Sequence, residues 1–470
     1  MINIMKKFIF CLIREGDKIV IGLSGGPDSV FLTHYLNSLK KEKSLDLHLA
    51  HVNYKLRAKD SDLDEQFCRE FAEKLGLRLE VEVADLSILK DTPGNIQAEA
   101  RQRRMRFYES VAQKYDYHKI ALGHTLDDNI ETILGNIFRG CGLAGLSGMR
   151  PQSGNIIRPL LNTSKADILE YLDRNGIGYR IDASNLESDY TRNKIRNIIL
   201  PKIVDQVNTG VYDAVKRLSW LATEAHEYFG NFSDSFLDQH SSYSLQNNII
   251  IPLAEFSRLD RILKRHILKK SIERLSGNQR DLAAFDIIDS ALKILDSPTG
   301  TRADLGGGLM VEKASESLII FRPVGRFEAN AVTIPGKRLL QSFNLVLNSE
   351  IGSAASEIRH TSDNFKVVLD YDKLKGELEV RQFREGDYFR PLGMNKPKKL
   401  SDFFIDRKIP RALRMEIPLL VCNGDIAWVI GVAISEFFKL EPASRQAVKL
   451  WVEKVVRNVG QSGGNNADIE

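Results

Sequence analysis

Through the first two hundred residues, short apolar runs alternate with longer stretches whose apolar residues recur at helical spacing. That alternation predicts a parallel sheet joined by crossover helices. DKIVIGLS (17–24) reads as a β-branched strand ending in a glycine loop, and VFLTHYLNSLKKE after it as a helix. LDLHLAHVN (45–53) predicts a second strand, followed by a charged helix from Asp60 to Leu75. LRLEVEVAD (77–85) alternates apolar with polar, as a half-buried strand does. Asn95 to Tyr115 reads as a basic helix, and HKIALGH (118–124) as a buried strand. In LDDNIETILGNIF after it, Ile130, Ile133, Leu134 and Ile137 share one helical face. The predicted fold class is α/β, with a doubly wound, mostly parallel sheet.

After Pro201 the period changes. VYDAVKRLSWLATEAHEYFGNFSDSFLDQ, DRILKRHILKKSIERL and LAAFDIIDSALKIL all read as helices. A catalytic domain over 1–209 is therefore expected to precede a helical domain over 210–325. Residues 326–375 are expected as a linker region, with short strands and turns setting in beyond Pro335, as in FKVVLDYDKL. Residues 376–458 predict a small mixed α+β domain, opening with GELEVRQF. In it, IPLLVCNGDIAWVIGVAIS (417–435) predicts a hairpin turning at Asn423-Gly424. The tail, 459–470, is polar and glycine-rich and is expected to be disordered.

Composition narrows the class. At 470 residues the chain is long for a single core, so two or three domains are expected. The four cysteines (Cys11, Cys68, Cys141 and Cys422) are far apart, which argues against a disulfide framework, a zinc ribbon or an iron–sulfur site. The N-terminus carries two lysines and a short apolar stretch, superficially like a signal peptide. Arg14, Glu15, Asp17 and Lys18 interrupt it, and no small-residue cleavage site follows. No apolar run approaches membrane-spanning length, so the expected setting is cytoplasmic, without a membrane partner. The net charge of +4 decides little, but its distribution is uneven. Between Arg390 and Arg414, eight basic residues face two acidic ones, an excess that can track a phosphate backbone. From charge alone, a solvated surface is the simpler account.

The segment Ser24-Gly25-Gly26-Pro27-Asp28-Ser29 lies at the end of the first predicted strand and opens the first helix. Two glycines let the backbone approach a phosphate without an intervening Cβ. Amides then face the anion, aided by the positive end of the helix. Ser24 and Ser29 add hydroxyl donors, and Asp28 could hold a magnesium ion that bridges phosphate oxygens. An ordinary strand–turn–helix loop would account for the glycines alone, but not for S-G-G-x-D-S in this position. G-x-x-x-x-G-K-[ST] is absent, and so is a G-x-G-x-x-G with an acidic ribose ligand.

A second constellation is Gly123-His124-Thr125-Leu126-Asp127-Asp128-Asn129-Ile130-Glu131-Thr132. His124 ends a predicted strand, and Asp128 and Glu131 fall within one helical turn, so both can point into one space. Such carboxylates can hold magnesium, with Asp127 the second candidate beside Asp28, or grip an amine. An acidic first helical turn that satisfies the macrodipole is the plain alternative. A third set is basic: Arg101, Arg103, Arg104 and Arg106, then Arg192, Lys194 and Arg196. These guanidinium groups could bind ATP phosphates or an RNA stem, with a solvated surface the alternative for Arg103 and Arg106.

The glycine segment resembles the loop of the ATP-pyrophosphatase (PP-loop) superfamily, whose members cleave between the α and β phosphates and pass AMP to a substrate oxygen. The wider combination resembles the tRNA(Ile)-lysidine synthetase family. SGGPDS, HVNYKLR, the AR-x-x-R of Arg101–Arg104, GHTLDDNIET, FRGCGLAGLSGM (138–149), RPLL (158–161), DASN (182–185) and TRNKIRN occur in that family's order. REGDYFRPLG and KKLSDFFIDRKIPR (398–411) resemble its C-terminal tRNA-binding module. The likeness spans nearly the whole chain, although the helical middle carries no specific motif. Tyr54 stands where a histidine is expected in HVNYKLR, and Met105 follows AR-x-x-R where an aromatic is usual.

The resemblance implies a reaction. ATP adenylates the C2 oxygen of the wobble cytidine in a tRNA(Ile) with a CAU anticodon. The amine of free lysine then attacks C2 and expels AMP, leaving lysidine, so that the tRNA reads AUA. Ser24, Gly25, Gly26, Pro27, Asp28 and Ser29 would bind ATP, with Asp28 assisting through magnesium and His51 and His124 lining the nucleotide pocket. Asp128 and Glu131 would grip lysine, while Arg104 and Arg192 or Arg196 would stabilise charge on phosphate. Arg390, Lys398, Lys399, Phe403, Phe404, Arg407, Lys408 and Arg411 would contact tRNA outside the reacting base. A homodimer is the candidate assembly. A tRNA thiolase, a small-molecule amidating ligase and a non-catalytic RNA-binding protein remain the rivals.

Overall fold

The computed structural model describes residues 12–55, 59–85, 96–180, 191–277, 285–354 and 363–455. DASN and the tail lie outside them. The chain divides into two compact units, Met1–Tyr228 and Phe229–Glu470.

In the first unit, strands β1 (Lys18–Gly22), β2 (Asp46–Asn53), β3 (Arg78–Val83), β4 (Lys119–Ala121), β5 (Gln152–Ser153) and β6 (Ile156–Ile157) form one sheet in the order β3-β2-β1-β4-β6-β5. Every pairing is parallel except β5 with β6. Helices α1 (Pro27–Leu39), α2 (Lys59–Leu75), α3 (Ile96–Lys114), α4 (Leu126–Phe138) and α5 (Lys165–Arg174) alternate with the strands. The period-2 pattern of β1 divides its side chains between two cores. Ile19 and Ile21 pack with Phe31 and Leu36 of α1, Phe71 of α2, and Ile168 and Leu172 of α5. Val20 packs on the other side with Tyr108 and Val111 of α3. A parallel sheet covered on both faces is what such uninterrupted apolar strands require. Chain order reverses between β1 and β4, so the crevice beyond their carboxyl ends is the topological switch point, where ligands bind in open α/β sheets.

The second unit contains the end of α6 (Val211–His240), then α7 (Arg261–Ser276) and α8 (Phe285–Leu292). These helices pack on an antiparallel sheet in the order β7-β8-β11-β10-β9, built from Ser242–Tyr243, Ile249–Pro252, Arg302–Gly306 (β9), Leu309–Lys313 (β10) and Ser317–Phe321 (β11). The region expected to be helical is thus helices laid over a sheet.

Residues 326–375 are not a linker. They supply β12 (Asn330–Ala331), β13 (Gly336–Leu340), β14 (Leu345–Ser353) and β15 (Lys366–Asp370). Both β14 and β15 pair with the last strand, β22 (Gln446–Lys454), giving the order β13-β14-β22-β15. A second sheet runs β12-β16-β19-β20-β21, with β16 at Leu378–Arg381, β19 at Leu419–Cys422, β20 at Asp425–Val429 and β21 at Ala433–Ile434, while β17 (Tyr388–Phe389) and β18 (Lys398–Lys399) pair as a separate two-stranded ribbon. Asn423 (φ 50°) and Gly424 (φ 91°) make the predicted β19–β20 turn, both in the left-handed region that a two-residue hairpin needs.

Alternation along β19 sends Leu420 and Cys422 into one core with Trp428, and Leu419 and Val421 into another. That other core corrects an expectation about RNA. Phe403 and Phe404 lie on α9 (Leu400–Asp406), and both are buried in it with Phe389 and Leu400. Phe403 meets Phe389 edge-to-face at 4.8 Å, and Phe404 meets Phe383 at 5.7 Å. Leu400, Phe403 and Phe404 share one helical stripe, so hydrophobic burial sets their direction and they are not RNA contacts.

Truncating a fully buried phenylalanine costs about 3–5 kcal/mol. Phe404→Ala should therefore lower the urea midpoint of the second unit, followed through Trp428 fluorescence, whereas Lys399→Ala should leave it within error. An unchanged midpoint together with lost RNA binding would return Phe404 to the surface role.

Candidate active site

Strand β1 delivers the glycine loop to the carboxyl edge of the sheet. Gly25 has φ +85°, which a Cβ would strain, and Gly26 caps α1 without a side-chain bond. Pro27 takes the first helical position, where a missing N–H costs nothing. The serines brace the loop from inside. Ser24 donates its N–H to Ser29 Oγ at 3.1 Å, Ser29 Oγ donates to the Gly26 carbonyl at 3.0 Å, and the two hydroxyl oxygens are 3.1 Å apart. An ideal Cβ on Gly123 would lie 3.1 Å from the Asp28 carbonyl carbon, so the β4 loop is pressed against this one.

Asp28 has a buried Oδ1 with no partner. Burial pushes its carboxyl up to about 6, against the pull of Lys165. A desolvated carboxylate oxygen without a donor suits a hard cation, so Asp28 fits magnesium. One oxygen of Asp127, the second magnesium candidate, is engaged by the protein: its Oδ2 accepts the Lys165 N–H at 2.7 Å, at the start of α5.

Beyond β4, Thr125 caps α4 through a capping box with Asp128. The remaining acceptors are saturated by arginine. Asp128 Oδ1 accepts from Arg192 Nη2 (2.7 Å) and Arg196 Nη2 (3.0 Å). Glu131 Oε2 accepts from Arg192 Nε (2.8 Å) and Arg196 Nη2 (3.0 Å), and Arg196 Nε reaches Oε1. Burial raises the Asp128 carboxyl, but Arg192 and the Thr125 amide hold it below the usual range. The two arginines sit one turn apart, and a π-helical turn (Ile195–Ile199) begins between them, a distortion frequent at functional sites. Asp128 and Glu131 are brought together as expected, but already neutralised.

The two histidines line the same edge. His51 Nδ1 contacts the Leu23 carbonyl at 2.9 Å, leaving Nε2 buried and unpartnered. His124 Nδ1 is likewise buried without a partner, and burial pushes its ring down to about 4. Arg158, to which the sequence reading assigned no role, follows β6 on the same edge. It is 9% exposed with an orphaned Nε. Arg104 makes no ion pair among the described residues.

The candidate RNA-contacting residues lie in the second unit. Arg390, Lys399, Arg407, Lys408 and Arg411 are exposed, and Lys398 is half-buried. Lys398 pairs with Asp406 and Lys408 with Glu316, which tempers their excess charge. Arg407 stacks on the Phe403 ring at 5.4 Å, so the buried aromatics hold the basic surface in place.

A family model described as "PP-loop domain" matches residues 2–203, and one described as "TilS substrate C-terminal domain" matches residues 378–451. The chain is 32% identical over 455 residues to the tRNA(Ile)-lysidine synthase of Clostridium acetobutylicum, covering 94% of this chain and 97% of that protein. It is 33% identical over 451 residues to the enzyme of the same description from Clostridium tetani, covering 94% and 96%. For the one from Persephonella marina the identity is 32% over 463 residues, covering 96% and 99%.

Burying Asp28 has a cost that can be measured without ligand. Its raised value means that the fold favours the protonated carboxyl, so the associated stability is present below the usual 3.8 and lost as pH rises through about 6. Asp28→Asn should therefore stabilise the ligand-free protein by roughly 1–3 kcal/mol at pH 7.5. The gain should grow between pH 4 and 7 and then level off, read from melting curves against pH, while ATP-dependent activity disappears. A gain that does not vary with pH would show that Asp28 is not desolvated.

Proposed function

The chain belongs to the tRNA(Ile)-lysidine synthase family, and from that premise we propose how its residues divide the work. It is an ATP-dependent ligase that forms lysidine on tRNA(Ile). The observation that carries the assignment to this site is the switch-point edge itself. There, a phosphate-shaped glycine loop, an unsatisfied Asp28 carboxylate and a lattice of two acids with two arginines converge.

In this reading, the Ser24–Ser29 loop takes the β and γ phosphates of ATP on its amides and the α1 N-terminus. Asp28 would hold magnesium, which supplies charge neutralisation between the phosphates. His51 and His124, kept neutral by burial, line the nucleotide pocket. The C2 oxygen of the wobble cytidine, in a CAU anticodon, attacks the α phosphorus, and pyrophosphate leaves. The ε-amine of lysine then bonds to C2, the C2–O bond breaks, and AMP departs with the oxygen while the amine loses a proton. Of the two arginines, Arg192 is the more exposed, at 45% of its side chain against 25%. An incoming lysine amine replaces it on Asp128 and Glu131, which frees the Arg192 guanidinium, together with Arg104, to stabilise charge on the transferred phosphate. Arg196 stays to hold the two carboxylates apart from each other's repulsion. The exposed basic residues of the second unit, Arg390, Lys399, Arg407 and Arg411 among them, contact the tRNA away from the reacting base. Among the described residues no helix is long and apolar enough to cross a membrane.

The test is transfer of labelled lysine to a tRNA(Ile) transcript with a CAU anticodon, given ATP and magnesium, followed by mild base to remove any aminoacyl ester. Base-stable label is expected, lost when the wobble cytidine becomes uridine and reduced at least about 100-fold by Asp28→Ala. ATP consumption without label would redirect the reading to sulfur or another amine. Tight tRNA binding with no ATP use would leave an RNA-binding protein.

A further inference from the structure

At the carboxyl edge of four neighbouring strands, β2, β1, β4 and β6, lie four side chains that each have one buried polar atom without a partner: His51 Nε2, Asp28 Oδ1, His124 Nδ1 and Arg158 Nε. The first three have places in the reading above, but Arg158 does not. It is nine-tenths buried, its Nη1 donates to the Arg150 carbonyl at 2.9 Å, and its Nε meets nothing. It has no ion-pair partner among the described residues, and neither has Arg101 on α3. Both guanidinium groups are shifted downward by burial, and Arg101 adds to the shift on Arg158. A buried guanidinium without an anion is costly to hold, and together with the exposed Arg101 cation it is a ready receptor for phosphate, whose oxygens match the guanidinium fork.

Position along the edge selects which phosphate. The glycine loop stands over β1, and His51 marks the nucleotide side at β2. Arg158 follows β6, two strands away on the opposite side. The acid–arginine lattice, where the base reacts, follows β4 and lies between them. The main chain confirms this adjacency: Leu122 donates to the Ile157 carbonyl at 3.0 Å, so Gly123-His124 and Arg158 leave the sheet side by side. Resting on the RNA-modifying reading above, we propose that Arg158 and Arg101 form a clamp for a phosphodiester of the RNA strand beside the reacting nucleotide, holding the base over the adenylation site. The pair binds and positions substrate and takes no part in bond making.

The experiment measures steady-state lysine transfer by the full chain for Arg101→Gln, Arg158→Gln and Arg158→Lys, with exposed Arg106→Gln as control. Each is assayed across a range of chloride concentrations. The glutamine variants should raise KM for tRNA about tenfold, while KM for ATP stays within about twofold. The slope of log kcat/KM on log salt should become shallower by about 0.7–0.9, the loss of one phosphate contact. Arg158→Lys should restore that slope, and Arg106→Gln should leave it unchanged. Arg101 is on the surface, so its variant reports even if Arg158→Gln folds poorly. A rise in KM for ATP with the tRNA slope unchanged would overturn the proposal by placing the pair on the nucleotide. Unchanged slopes in an active enzyme would overturn it outright. Failure of the wild-type chain to transfer lysine would instead strike the underlying function.

Discussion

Strands β1 and β4 pair in parallel, Ile19 to Lys119 through Ile21 to Ala121, so their following loops leave the sheet at the same edge and must share the space there. An ideal Cβ at position 123 would lie 3.1 Å from the Asp28 carbonyl carbon and 3.2 Å from the Ser29 nitrogen, closer than nearly all real contacts of that kind. Glycine at 123 is what lets the Ser24–Ser29 turn and the His124–Glu131 segment occupy one crevice. From that contact the rest of the site follows. It sets the loop before α4 against the first turn of α1, where Asp28 Oδ1 is buried. The first unit's sheet and helices serve to hold two loops this close.

The charges in the crevice are arranged in two different ways. Glu131 is buried and Asp128 half-buried, and each is answered by two guanidinium groups within 3.0 Å, a closed lattice formed without ligand. Breaking one member would leave an uncompensated buried charge, which costs about 3–5 kcal/mol, so this lattice is as much scaffold as chemistry. The groups that face the expected phosphates are left unanswered: Asp28 Oδ1, His51 Nε2, His124 Nδ1 and Arg158 Nε. Other buried polar atoms also lack a partner, Tyr35 Oη and Trp428 Nε1 among them, so what sets these four apart is that they follow neighbouring strands at one edge of a sheet.

Sequence pattern revealed the first unit well, because its signals are local. The β-branched run before Ser24, the glycines of the turn and the 3.6-residue spacing of Ile130, Ile133, Leu134 and Ile137 each lie within one element. Where the reading failed, the deciding contacts were distant or the elements too short to carry a period. Strand β14 pairs with β22, about a hundred residues on, and nothing in 345–353 announces that partner, so the stretch read as linker. Arg158 follows a two-residue strand, too short to mark an edge of the sheet. Phe403 and Phe404 failed for another reason. Basic neighbours suggested an RNA-stacking surface, although the spacing of Leu400, Phe403 and Phe404 already described a buried stripe.

The unanswered groups also bear on when the enzyme is stable. Burial disfavours the charged form of each: it raises Asp28 toward about 6 and lowers His124 toward about 4. Below pH 6.5 the unfolded chain gathers protons on histidine that His51 and His124 refuse in the fold, so their contribution weakens the protein as pH falls. Asp28 acts in the opposite sense, weakening it as pH rises through about 6. The two penalties cross in the acidic range, between about pH 5 and 6; near neutrality the histidine penalty is gone, and the ligand-free crevice is neutral at its histidines and reluctantly anionic at Asp28. If Asp28 holds the counter-cation of a bound nucleotide, as proposed, that cation would relieve the Asp28 penalty without a proton from the histidines. Binding and folding of the first unit are thus linked through the same few atoms, and occupancy of the site adds stability in proportion to how tightly the phosphates are held.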